Sequence, residues 1–173
     1  HDACGVGLIA STEGKKSRSV VEYGIEALKA VWHRGAVDAD GKTGDGAGIH
    51  VEIPKDFFIE KIQVTGHDYD NSEICVGMIF LPRNDYSAQE NCKTIVESEL
   101  TKNNFSIYGW RQVPVNPKIL GEKALQTMPE IIQVLFKPND LNLLDKNLER
   151  KIYETRKRIE NKAFEASLNN FYI

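Results

Sequence analysis

The chain has 173 residues, 41% of them hydrophobic and 27% charged, which is typical of a globular domain with a substantial core. Its formal net charge of −3 argues against nucleic acid as the main partner, because phosphate binding needs a concentrated basic face. No basic leader begins the chain, and no apolar run approaches the ~18 residues that cross a bilayer. The sequence therefore predicts a cytoplasmic protein without a membrane partner.

The first half of the chain is predicted to contain a strand over 3–10, a helix and a strand over 47–53. Ser19 and Glu22 form a candidate capping box at the start of the helix. Apolar residues then recur at helical spacing, at Val21, Ile25, Leu28 and Trp32. The second strand is expected to be half-buried, because apolar and polar residues alternate along it.

The second half alternates helical and strand patterns, which predicts the α+β class with helices covering the faces of a sheet. The predicted helices span 55–62, 87–102 and 145–163, and the predicted strands span 74–81, 105–111 and 130–136. Residues 170–173 resemble the start of one more strand. A strand this short cannot end a stable sheet, so the chain is expected to be a piece truncated at its C-terminal end.

Three cysteines, Cys4, Cys75 and Cys92, form no Cys-x-x-Cys pair, and their odd number suits a reducing compartment. Their spacing also predicts no metal site. Cys75 lies in an apolar run and is expected to be a buried, inert thiol. Cys92 lies in a polar helical stretch and suggests no role.

The run Ala-Cys-Gly-Val-Gly at 3–7 points to a cysteine nucleophile, because the small neighbours leave the Cys4 thiol open to a substrate. Only the thiolate attacks a carbonyl carbon, and a thiol with a pKa of ~8.5 is little ionised at neutral pH. An α-amino group with a pKa of ~7.7 would be a suitable base, but only if Cys4 were the first residue. Since residues 1–3 precede it, the sequence is expected to be an unprocessed form.

Two further motifs follow, His-Arg-Gly-Ala at 33–36 and Thr-Gly-Asp-Gly-Ala-Gly at 43–48. His33 is more typical of a helix terminus than of proton transfer. The glycine-rich run favours a tight turn in which Asp45 binds its own loop. Such a run can also bind phosphate, but no Gly-Lys-Ser or Gly-Lys-Thr follows it, so a nucleotide site is disfavoured.

These three motifs, together with the runs at 109–116 and 149–153, resemble the glutaminase domain of the glutamate synthase large subunit in order and spacing. The resemblance implies a class II glutamine amidotransferase with the N-terminal nucleophile hydrolase fold. That fold is a four-layer α/β/β/α sandwich of antiparallel sheets. The resemblance further implies hydrolysis of glutamine through a cysteinyl thioester, with the ammonia channelled to aminate 2-oxoglutarate.

By this resemblance, Cys4 is the nucleophile, residues 1–3 are a propeptide remnant and residues 4–173 are the N-terminal part of the domain. Arg34 and Gly35 would order the site, since a guanidinium holds its acceptors in a fixed geometry. A loop containing Gly44, Asp45, Gly46 and Gly48 would approach the site without steric clash. The family's flavin mononucleotide and iron-sulfur cluster would belong to later domains, and no cofactor is expected in this chain.

The expected partners are glutamine, the remaining domains of the same polypeptide and a small electron-donating subunit. The family's second arginine, its Asn-Gly oxyanion pair and its substrate-binding aspartate have no counterpart in this sequence. Because such groups supply much of the rate, the chain alone is expected to be inactive. Two alternatives remain open, another class II amidotransferase and a non-catalytic scaffold of the same fold.

Overall fold

A computed structural model describes residues 5–140 and 145–173, without the side chains at 34, 145 and 146. Cys4, the predicted propeptide remnant at 1–3 and the loop at 141–144 lie outside the described residues. The chain divides into two compact units, which are described separately. Unit 1 comprises His1–Glu52 and Asn116–Thr127, and unit 2 comprises Ile53–Val115 and Met128–Ile173.

Unit 1 is built from short helices and loops. Its longest element is helix α1, Arg18–Ala30. Two 3-10 helices, Trp32–Arg34 and Pro117–Ile119, and the five-residue helix α4, Glu122–Gln126, complete it. Gly121 is the one buried residue among the described residues of this unit.

The prediction of a capping box at Ser19 and Glu22 is wrong. Helix α1 begins at Arg18, directly after its N-cap Ser17, which is extended. The Ser17 side chain accepts a hydrogen bond from the Ser19 backbone amide at 3.2 Å. Glu22 instead pairs with Arg18 one turn away, at 3.3 Å. The cap thus lies upstream of the predicted position, because Ser17 satisfies a free amide of the first turn.

Unit 2 contains an antiparallel sheet in the order β1-β3-β2, formed by Cys75–Leu81, Glu130–Pro138 and Phe105–Gln112. The register of β2 against β3 shifts between Ile107 and Gly109. At this bulge Gly109 adopts a φ of 148°, which a residue with a side chain rarely accepts. All three predicted strands of the second half are confirmed.

Helices cover both faces of this sheet. One hydrophobic core joins the strands to α3, Tyr86–Lys102, and α5, Asp145–Glu165. A second, smaller core joins the opposite face to α2, Lys55–Val64, through Phe58 and Ile62. This arrangement of helices around an antiparallel sheet confirms the α+β prediction.

The predicted strands over 3–10 and 47–53 are wrong for the described residues. Residues 5–10 and 47–53 have no strand hydrogen bonding. Leu8 is largely exposed, and Ile49 and Val51 are about half exposed. Alternation marks a segment that fits a half-buried sheet, but a strand also needs a neighbour for its backbone groups. The described residues supply no such neighbour to either segment.

The predicted strand at 170–173 is reduced to one antiparallel bridge, between Tyr172 and Phe80 on the outer edge of β1. The Phe80 amide donates to the Tyr172 carbonyl at 2.9 Å, and the reverse bond is 3.1 Å long. Among the described residues, no helix is long and apolar enough to span a membrane.

Candidate functional site

The candidate site lies in unit 1, where the three sequence motifs occur. Cys4 itself is outside the described residues, but its neighbour Gly5 is placed beside the end of α1. A Cβ on Gly5 would lie 3.8 Å from the Val31 side chain. Val31 directly precedes the 3-10 helix that contains Arg34, so the first described residue of the chain is adjacent to the second motif.

The second motif forms a tight turn at the end of α1. The His33 ring lies 3.2 Å from the carbonyl of Ala30, the last residue of the helix, which requires Nδ1 to carry the hydrogen. The backbone returns to an extended conformation at Gly35, whose amide donates to the Trp32 carbonyl at 3.0 Å. This contact agrees with the helix-terminal interpretation of His33.

The turn at Gly35 continues into a closed loop of residues 36–45, here called the motif loop. Val37 and Gly44 form an antiparallel bridge, and the Asp38 amide donates to the Thr43 carbonyl at 2.7 Å. The tip reverses at Gly41, which adopts a φ of 68°. The motif loop therefore brings the second and third motifs together.

Asp45 joins the two motifs directly. Its side-chain Oδ2 accepts a hydrogen bond from the Ala36 amide at 2.9 Å, and its own amide donates to the Ala36 carbonyl at 3.3 Å. A carboxylate that accepts from a backbone amide fixes that amide in one orientation. Asp45 thus binds its own loop, as the sequence indicates.

The three glycines of the third motif have different surroundings. A Cβ on Gly44 would lie 3.1 Å from the Ala36 carbonyl, so the close approach of the two sides of the loop favours glycine there. No described atom lies within 4 Å of a Cβ placed on Gly46 or Gly48. Their backbone φ angles lie outside the left-handed region as well.

Asp40, which sequence reasoning missed, organises the tip of the motif loop. Its carboxylate accepts hydrogen bonds from the Lys42 and Thr43 amides, at 2.9 and 2.7 Å, and from the Thr43 hydroxyl at 2.5 Å. These donors lower the pKa of Asp40 to about 2. The Asp40-Gly41 pair is a turn signal that could have identified this residue.

A second missed contact comes from residues 121–123, here called the clamp segment. Lys123 pairs with Asp38 at 2.6 Å across 85 positions of sequence. Gly121 packs so closely on the motif loop that a Cβ there would lie 2.6 Å from the Thr43 nitrogen. No local sequence signal predicts these contacts, because they join distant parts of the chain.

The other two cysteines are core residues of unit 2. Burial raises the pKa of Cys75 to about 12 and that of Cys92 to about 11, so neither thiol ionises at neutral pH. This agrees with the prediction of an inert Cys75. Within the described ranges, no group of three or more histidine, cysteine or acidic side chains is arranged to hold a metal ion.

Comparison with known proteins agrees with the motif assignment. A family model described as "Glutamine amidotransferases class-II" matches residues 4–173. The whole chain is 55% identical to the glutamate synthase (NADPH) large chain of Azospirillum brasilense, of which it covers 11%. It is 41% identical over 159 residues, 91% of its own length, to ferredoxin-dependent glutamate synthase 1 of Arabidopsis thaliana, of which it covers 10%.

A more distant relative is ferredoxin-dependent glutamate synthase 2 of a Synechocystis strain, which is 35% identical over the whole chain, with 11% of the relative covered. The chain thus spans about a tenth of the length of these curated relatives. The family match begins at Cys4 and extends to the end of the chain, so it includes residues of both units and the second and third motifs. The chain belongs to the class II glutamine amidotransferases.

Proposed function

We propose that the chain is part of the glutaminase domain of a glutamate synthase large chain, with residues 4–173 forming the N-terminal part of that domain. The observation that carries this proposal is the 55% identity over all 173 residues to the bacterial large chain. Relatives named for NADPH and for ferredoxin both match, so the proposal does not extend to the electron donor.

The proposed reaction releases ammonia from the side-chain amide of glutamine. The Cys4 thiolate attacks the amide carbonyl carbon, and the C–N bond breaks as the nitrogen leaves with a proton. Water then attacks the resulting thioester, which releases glutamate and restores the thiol. In another domain, the ammonia would replace the keto oxygen of 2-oxoglutarate, which leaves as water, and two electrons from the electron donor would reduce the product to glutamate.

The proposed base is the α-amino group of Cys4 itself, freed by removal of the propeptide remnant at residues 1–3. It takes the thiol proton and delivers a proton to the departing ammonia, since its pKa of ~7.7 suits both transfers. The unreactive state of the two core thiols leaves Cys4 as the one cysteine suited to this role.

Arg34 and Gly35 are proposed to order the nucleophile, and the loop residues Gly44, Asp45, Gly46 and Gly48 to shape the approach to it. Two contacts support these roles. Gly5 lies beside Val31, next to the turn that contains Arg34. Asp45 then fixes Ala36, directly after that turn, at 2.9 Å.

The proposed architecture is the four-layer sandwich of N-terminal nucleophile hydrolases. Unit 2 supports it with an antiparallel sheet that α3 and α5 cover on one face. On the other face, α2 covers the sheet only in part, and Met78 of β1 is 41% exposed. An apolar side chain exposed on a sheet face is consistent with packing of that face on a further layer.

The two described cysteines do not fit an iron-sulfur cluster. Such clusters are held by cysteine thiolates, whereas Cys75 and Cys92 are buried core residues with raised pKa values. The iron-sulfur cluster is therefore assigned to another domain and, as the resemblance implies, flavin mononucleotide is as well. A small electron-donating subunit is a further proposed partner, and the proposed location is the cytoplasm.

Ammonia release from glutamine by the full-length protein tests this proposal. Cys4→Ser should lose at least ~1,000-fold in kcat, because a serine hydroxyl is a far weaker nucleophile than a thiolate. The control is Cys92→Ala, which removes a core thiol without burying a hydroxyl and should keep the wild-type rate. A Cys4→Ser protein with wild-type glutaminase activity would refute the proposed function.

A further inference from the structure

Gly121 is the point at which the clamp segment meets the motif loop. A Cβ there would lie 2.6 Å from the Thr43 nitrogen, and closer still to Thr43 Oγ1 and Asp40 Oδ2. Side-chain carbons do not approach other atoms within 3.0 Å, so only glycine fits between these groups. Gly121 is also the one buried residue among the described residues of unit 1.

The two residues after Gly121 bind the same loop. The Glu122 amide lies close enough to the Asp40 carboxylate to help lower its pKa. Lys123 pairs with Asp38 at 2.6 Å. Gly121 therefore holds the loop by close packing and Lys123 holds it by an ion pair, with Glu122 beside the Asp40 carboxylate between them.

Contacts within unit 1 continue from the clamp segment toward the start of the chain. The tip at Asp40 and Thr43 is joined to the base of the motif loop by the Val37–Gly44 bridge. At the base, Asp45 fixes Ala36, the residue after the Arg34–Gly35 turn. That turn follows Val31, the neighbour of Gly5.

We propose that residues 121–123 position the candidate glutamine site by holding the motif loop in the conformation that sets the Arg34–Gly35 turn beside the start of the chain. Gly121 is the central positioning residue, and it acts through the loop without touching the substrate. This inference rests on the proposed function for its catalytic consequence. Its structural part, that the clamp segment holds the loop closed, can be measured separately.

The test compares Gly121→Ala with Gly24→Ala in the full-length protein. Gly24 lies in α1 of the same unit, and no described atom lies within 4 Å of its Cβ position. In Gly121→Ala, the loop amides of Asp38 and Thr43 should exchange hydrogen at least ~10-fold faster, because their acceptors no longer hold position. In Gly24→Ala their exchange should not change.

The catalytic readout is ammonia release. In Gly121→Ala, kcat should fall ~10- to 100-fold while KM stays within ~3-fold, because a misplaced site lowers the rate more than it weakens binding. Loop exchange at the wild-type rate would overturn the proposal, as would a loosened loop with wild-type kcat. If the wild-type protein releases no ammonia, the proposed function fails, and the exchange data still decide whether the clamp segment holds the loop.

A milder variant covers the case in which Gly121→Ala does not fold. Lys123→Met removes the ion pair to Asp38 and leaves the glycine contact intact. The control is Lys118→Met, which lies just outside the clamp segment. As in Gly121→Ala, we expect faster hydrogen exchange of the loop amides and a lower kcat in Lys123→Met, each by ~3-fold. No change relative to Lys118→Met would overturn the proposal.

Discussion

At the residue scale, Asp40 carries the largest number of described hydrogen bonds in the motif loop. Its two oxygens accept from the Lys42 amide and from both the amide and the hydroxyl of Thr43, which satisfies the tip of the loop. Such bonds favour the charged carboxylate over the neutral acid. Asp40 therefore stabilises the loop at pH values above its ordinary pKa of 3.8, and this contribution is lost as the pH falls toward 2.

The Asp40 carboxyl should titrate with a midpoint at about pH 2, which carbon-detected NMR can measure. Thr43→Val should raise this midpoint, since the Thr43 hydroxyl is the largest cause of the lowered pKa. Thr43→Ser keeps the hydroxyl and should leave the midpoint unchanged. A wild-type midpoint near 3.8 would contradict the described network.

Individual residues were predictable where their partners are close in sequence. Asp45 lies in a loop whose two sides are short, so its bond within that loop follows from turn chemistry. Gly121 was not predictable, because its need for glycine comes from Thr43 and Asp40, far away in sequence. Gly46 and Gly48 have no described contact that requires glycine. The glycine-rich composition of the motif alone suggests the opposite.

At the element scale, prediction succeeded in unit 2 because each pattern there has a partner. The strands β1 and β2 both pair with β3, so their apolar residues pack as their sequence suggests. Residues 47–53 carry an equally clear alternation and form no strand. A periodic pattern indicates which side chains can be buried on one face, but a strand forms only where its backbone has a hydrogen-bonded neighbour.

The contact between β1 and β3 is tight enough to test at Gly77. A Cβ at this position would lie 2.7 Å from Cγ1 of Val134, which is fully buried. Gly77→Ala should therefore lower the free energy of unfolding by about 1–3 kcal/mol through overpacking. Chemical denaturation measures this, with Gly24→Ala as an uncrowded control, and an unchanged stability for Gly77→Ala would contradict the packing.

Helices α3 and α5 are joined by Glu99, whose side chain is 5% exposed and lies 2.5 Å from Lys162 and 3.4 Å from Lys102. The hydrogen bond from Lys162 is the main reason that the pKa of Glu99 lies below its ordinary value of 4.5. The ionised carboxylate thus stabilises the folded protein above that pH, and its contribution is lost as the pH falls below it.

Glu99→Gln should cost about 1–3 kcal/mol of unfolding free energy at neutral pH, the usual range for a hydrogen bond to a charged group. Denaturant titrations at neutral pH and at pH 4 should show the difference from wild type shrinking under acid. The control is Glu90→Gln, because Glu90 pairs with Lys93 while 71% exposed and should matter little. Equal losses for the two variants would contradict a special role for Glu99.

At the scale of the whole molecule, the two units bury very different amounts of apolar surface. Unit 2 contains both hydrophobic cores, whereas the described residues of unit 1 bury Gly121 alone. The unit that contains the candidate site therefore has the less extensive hydrophobic core. We expect its amides to exchange faster than those of the sheet in unit 2.

This difference leads to a prediction for the 173-residue chain by itself. Neither this chain nor residues 4–173 alone should release ammonia from glutamine above background, because a unit with so little buried apolar surface cannot maintain a reactive geometry. An ammonia assay on the purified chain measures this, with the full-length protein as the positive control. Comparable turnover by the two would show that unit 1 needs nothing more than this sequence.

The central claim is that the sulfur of Cys4 becomes a nucleophile through the amino group of the same residue. Intact mass and N-terminal sequencing of active protein made from the complete gene test it most directly. The account predicts that protein releasing ammonia from glutamine begins at Cys4, without residues 1–3. A fully active enzyme that still carries His1, Asp2 and Ala3 would contradict it.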